Sequence, residues 1–93
     1  MIGKELKDLG VLVEENGFML VKKAVSEGEE IPKHNHPGNN IFFTVVKGKI
    51  EITLNDEEKH MMEPGKVLNF NGENYIQGLA KEDTEIFIYL IGR

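Results

Sequence analysis

Residues 41–54 read Ile-Phe-Phe-Thr-Val-Val-Lys-Gly-Lys-Ile-Glu-Ile-Thr-Leu. The first six are β-branched or aromatic, the types that fit a pleated, half-buried surface. Lys47-Gly48-Lys49 turns the chain. Ile50, Ile52 and Leu54 then alternate with Glu51 and Thr53, a period-two strand with one wet face. Outward from this hairpin the same rhythm continues. Residues 11–13 and 18–25 are predicted strands joined at Asn16-Gly17. That dipeptide suits a type I′ turn, which needs positive φ at both central positions. Residues 31–36 are extended, as Pro32 and Pro37 favour for the residues before them. Residues 59–62, 67–70, 75–79 and 84–91 complete the strands, with turns at Asn55-Asp56, Pro64-Gly65 and Asn71-Gly72. Residues 4–9 read as a short helical turn or a first strand. Turn signals at roughly eight- to twelve-residue spacing predict an all-β sandwich or barrel.

The 93 residues make one domain, 1–93. With 40% hydrophobic and 29% charged residues, the chain has the composition of a folded soluble protein. Lys plus Arg number 11 against 16 Asp plus Glu, a net charge of −5. Lys22-Lys23 is the one adjacent basic pair, so neither nucleic acid nor an anionic membrane is an expected partner. The absence of Cys excludes disulfides, thiolate zinc sites and a thiol nucleophile. Apolar runs fall far short of the ~20 residues that span a bilayer. Residues 1–8 lack an apolar leader, and the expected location is cytoplasmic.

Residues 86–91 are apolar on both faces of their strand, and 41–43 nearly so. Both faces must then be covered. Either the N-terminal segment or a partner subunit can do this. A symmetric homodimer, the commonest soluble oligomer, is expected.

Three His are the main chemical resource. His34-Asn35-His36 lies in an extended stretch, where residues i and i+2 share a face. Two imidazoles side by side can chelate one transition-metal ion. The surrounding spacing adds to this. Gly28 is followed by five residues, then His34-Asn35-His36, then eleven residues, then Gly48. This resembles the first motif of the cupin superfamily, except for a Glu that the motif places between the second His and the last Gly. A second motif is partly present after Met62-Glu63-Pro64-Gly65-Lys66-Val67.

The resemblance implies an all-β fold, the cupin-type double-stranded β-helix or jelly-roll barrel, with a ligand or metal in its open mouth. The family's usual ligand set is three His and one Glu. Carried over by position, His34 and His36 are the first two ligands. Ile41 or Asn40 stands at the Glu, and Ile76 at the last His. The implied cofactor is a weakly held divalent ion: Zn, Ni, Mn or Fe. Asn40, Gln77, Tyr75, His60 and Asn69 are candidates to complete a shell or line the pocket. Gln77 or Tyr75 faces inward only if the register near Gly72 differs by one residue from that carry-over.

The functional expectation is a small molecule bound in the mouth beside an incomplete metal site. Its alternatives are a metal-dependent isomerase, dioxygenase or lyase, and a metal-free accessory protein. No Gly-rich phosphate loop is present. Ser26 is the only serine, and nothing in the sequence places a His beside it for a catalytic triad.

Overall fold

A computed structural model describes residues 2–93. Its regular structure is β1 (Gly10–Glu15), β2 (Phe18–Val25), β3 (Glu30–His34), β4 (Asn39–Lys47), β5 (Ile50–Leu54), β6 (Glu58–Met62), β7 (Val67–Asn71), β8 (Ile76–Ala80) and β9 (Thr84–Gly92). Residues 4–9 are neither helix nor strand, and the first strand opens at Gly10.

The strands form two antiparallel sheets, β1-β2-β9-β4-β7 and β3-β8-β5-β6. The pairings nest: β2 with β9, β3 with β8, β4 with β7, β5 with β6. A long β-ribbon rolled upon itself gives this order, the jelly-roll solution to exposed strand edges.

Register sets the core in rows. Met19 faces Leu90, which faces Ile41, which faces Phe70. The next row is Val21, Ile88, Phe43 and Leu68. These side chains point at the other sheet, which contributes Ile31, Ile50, Ile52, Leu54, Met62, Ile76 and Ala80. Phe43 and Ile86 are 0% exposed. The third row is Lys23, Ile86 and Val45. Lys23 puts a charge in this row, as Glu14 beside Met19 on the edge strand β1 does in the first.

The outer face of the five-stranded sheet is also apolar. Leu20, Tyr89 and Phe42 form one row on it and Lys22, Phe87 and Thr44 the next. All six are half-buried. The Lys22 ammonium sits 5.7 Å from the Phe87 ring centroid and donates to the Lys7 carbonyl at 3.1 Å.

The turns depart from one expectation. Asn55 and Asp56 have positive φ, 52° and 60°, and the Glu57 N–H donates to the Leu54 carbonyl at 3.1 Å. The I′-type backbone is therefore at Asn55-Asp56. At Asn16-Gly17 only Gly17 is left-handed. The Gly17 carbonyl accepts the Gly92 N–H at 2.8 Å, so a tertiary contact ties that loop down. Gly48 is a position only glycine fits. Its φ is +90°, and a Cβ there would overlap the Asp83 carbonyl and stand 2.6 Å from Thr84 Oγ1. Thr84 is buried, accepts the Lys49 N–H at 3.2 Å and donates to the Glu82 carbonyl at 2.8 Å.

Candidate functional site

The two histidines meet at one end of the barrel. β3 is irregular: it pairs with β8 at Ile31↔Gly78 and at His34↔Ile76, with a register shift between. Pro32 has no N–H to give the ladder, which suits such a break. The shift brings His34 opposite Ile76. Its ring Nδ1 lies 2.6 Å from the Pro32 carbonyl. A carbonyl only accepts, so Nδ1 carries the proton and Nε2 keeps its lone pair.

β3 ends at His34, and His36 is held by backbone contacts instead. Its N–H donates to the Gly72 carbonyl at 2.8 Å, and the Gly72 N–H donates to the Asn39 carbonyl at 2.7 Å. A Cβ on Gly72 would overlap the His36 carbonyl oxygen. The turn at Gly72 thus clamps the segment that carries His36. The two rings stand edge to face, centroids 4.8 Å apart and planes at 89°.

Around them the mouth is lined by Ile31, Ile41, Phe43, Phe70, Ile76 and Ile88, with Lys23 at the rim. The enclosed space is about 30 Å³, room for one or two waters. None of the lining side chains is acidic. His36 is held below the usual imidazole range, first by burial, then by repulsion from His34 when both rings would be protonated, and by the Lys23 ammonium.

The remaining candidates lie elsewhere. Ile76 faces the mouth, so Gln77 points the other way. Gln77 pairs with Thr53 and lines a polar hollow of about 390 Å³ on the outside of the four-stranded sheet. Tyr75 is 46% exposed, with the Lys33 ammonium 5.5 Å from its ring centroid. His60 shares an inward face with Met62, but its Nε2 lies 2.5 Å from the Glu58 carboxylate. Asn40 and Asn69 face outward on the five-stranded sheet, because Ile41 and Phe70 face in. Asn69 donates to Asn40 Oδ1 and to the Ile41 carbonyl, each at 2.9 Å. None of these five side chains lines the mouth beside His34 and His36.

Lys23 is the mouth-lining residue that motif reading passes over. Its signal is the alternation in β2. Met19, Val21 and Val25 occupy the core-facing positions, and Lys23 is the one charge among them. A lysine there lays its stem on apolar surface and presents its head at the rim.

The residues present do not fit a resident divalent ion. A catalytic site uses three or so protein ligands plus an open position. Among the described residues, no third His, Cys, Asp or Glu groups with the pair. The remaining positions of the motif hold Ile76 and Ile41, or Asn40 facing outward. The charge nearest the imidazoles is an ammonium, which repels a dication.

Comparison with known proteins agrees with this fold. The model of the cupin-domain family Cupin_2 matches residues 23–75. An uncharacterized protein of Methanocaldococcus jannaschii, MJ0764, is 30% identical over 63 residues, which cover 66% of this chain and 53% of that protein. By sequence the chain thus spans about half the length of this curated relative. The crystal structure of MJ0764, described as an RmlC-like cupin with a double-stranded β-helix fold, superposes with a TM-score of 0.83. That superposition covers 99% of this chain and 93% of that one, at 20% identity. The cupin domain of Cnp3 from Schizosaccharomyces pombe gives 0.80 at 23% identity, covering 97% and 69%. KdgF from a Halomonas species gives 0.76 at 19%, covering 97% and 88%. At these identities the structural likenesses speak for the fold alone. With the matched family covering more than half of its length, the chain belongs to the cupin domain family, as a small all-β protein with the double-stranded β-helix fold.

Proposed function

We propose that this cupin domain binds a small molecule in the barrel mouth, held directly by His34 and His36 rather than through a resident metal ion. The supporting observation is the composition of the mouth: an apolar wall with a few fixed polar groups converging on one small space, the usual make-up of a ligand site. His34 is fixed in one tautomer by the Pro32 carbonyl. His36 is fixed by the Gly72 clamp. The enclosed volume of about 30 Å³ is far below the ~300 Å³ of a site that swallows a whole ligand. The mouth therefore takes a small head group and leaves the rest of the ligand at the rim. The metal-dependent reactions that the resemblance brings with it lack a third protein donor here.

The test is a thermal-shift screen of small polar metabolite-like compounds against the wild-type chain and the His34→Ala/His36→Ala variant. Compounds that raise the wild-type midpoint and leave the variant unmoved are expected. Compounds that stabilise both equally would place binding elsewhere and sink the proposal.

A further inference from the structure

We infer that the head group taken by this mouth is an oxyanion of the carboxylate class, and that Lys23 selects it. This rests on the reading of the mouth as a small-molecule site.

Lys23 stands in a core-facing row with Ile86 and Val45, both buried. Its chain neighbour Lys22 points to the opposite face and pairs with Glu85 at 3.3 Å. Among the described residues no carboxylate pairs with Lys23, and none lines the mouth it borders. The Lys23 ammonium, with no acid lining the space, gives the small mouth a positive potential, with ammonium N–H donors at its rim and low-dielectric walls. Charge-assisted hydrogen bonds from such donors to an anion are the strong ones. The space of about 30 Å³ suits a planar head of three heavy atoms and excludes a sugar ring. A dication would meet the wrong sign of charge; a neutral head would gain nothing from the ammonium's charge.

The test uses the full chain, labelled with nitrogen-15, freed of metal by chelator and dialysis. It is titrated with acetate and with acetamide, its neutral isostere, at constant ionic strength. Acetate is expected to shift the amides of Lys23, His34, His36 and Ile76 saturably, with a dissociation constant on the order of 1 mM for so small a probe. Lys23→Gln should weaken that binding about tenfold or more, the worth of one hydrogen bond to a charged group. Lys23→Arg should keep most of it, and Lys22→Gln all of it. Lys23 is exposed, and an unchanged spectrum of the free Lys23→Gln chain checks that it folds. If acetamide shifts the same amides as strongly as acetate, or Lys23→Gln binds acetate like the wild type, the oxyanion assignment is wrong while the small-molecule mouth stands. If neither probe perturbs those amides, both readings fall.

Discussion

Gly72 is packed against the backbone of His36 so closely that no side chain fits between them. His36 donates its N–H to the Gly72 carbonyl at 2.8 Å, and a Cβ on Gly72 would overlap the His36 carbonyl oxygen and stand 2.7 Å from that of Asn39. The obstruction is backbone, which cannot swing aside as a side chain can. Gly72→Ala is therefore expected to destabilise the fold by about 2–3 kcal/mol, in the range of overpacking substitutions. It should also displace the His36 ring. Urea unfolding gives the first quantity and the His36 ring shifts the second. A midpoint equal to that of the wild type would mean the clamp is looser than drawn.

The His36 imidazole is expected to titrate below the usual value of 6.5, because burial, His34 and Lys23 all disfavour its charged form. In the unfolded chain it takes up its proton near 6.5. Between that value and the lower folded one, the unfolded state binds more protons, so stability rises with pH. This contribution is complete above about pH 6.5 and is lost as pH falls through the folded pKa. Proton NMR of the His36 Hε1 resonance reads the pKa directly. Lys23→Gln removes the ammonium and should raise it, while burial keeps it below 6.5. An unchanged His36 titration in that variant would mean that the ammonium does not face the ring.

Phe43 is central to both core and mouth. It is fully buried in the row Val21, Ile88, Phe43 and Leu68, and it lines the space under His34 and His36. Phe43→Ala should cost about 3–5 kcal/mol through lost burial and the cavity left behind. Phe43→Leu should cost less. Denaturant midpoints of the two variants at equal m-value decide the order.

The outer face of the five-stranded sheet carries Leu20, Phe42, Phe87 and Tyr89 half-buried, with Ile91 exposed at its end. Lys22, Glu85 and Lys47 join in ion pairs at its border, Glu85 lying 3.3 Å from one ammonium and 3.1 Å from the other. An apolar centre with both signs of charge at the rim suits a self-complementary contact about a two-fold axis. Light scattering on a sizing column should give twice the chain mass at micromolar concentration. The double variant Phe87→Glu/Tyr89→Glu should give the chain mass. A wild-type chain that elutes with the mass of one copy would leave the face to the N-terminal segment, which reaches Lys22 through Lys7.

The fold was legible because its signal is local and repeated. The strand read at Ile50, Ile52 and Leu54 survives with all three buried, although its expected wet face is not fully wet, since Thr53 is buried as well. The two-sided apolarity of residues 86–91 survives as a central strand between β2 and β4. The site was legible in part. His34 and His36 lie together, but what surrounds them is set by pairing between distant strands. The register Leu54↔Ile76 puts Ile76 at the mouth and Gln77 outside, as the positional carry-over of the second motif implied. The break between Ile31 and His34 is unreadable beyond the presence of Pro32. Asn16-Gly17 misled on turn type, since a local preference yields to the contact with Gly92. Lys23 was readable in principle. Its place in the Met19, Val21, Val25 series is a period-two pattern, which its pairing with Lys22 as a basic dipeptide obscures.

The claim that the mouth works without a resident metal is tested most directly by elemental analysis of the purified, untagged protein beside His34→Ala/His36→Ala. Both are analysed as isolated and again after dialysis against zinc, nickel, manganese and iron(II). Well under one equivalent of any of these metals, the same in both proteins, is the expected result. Near one equivalent in the wild type, lost in the double variant, would contradict it and return His34 and His36 to the role of metal ligands.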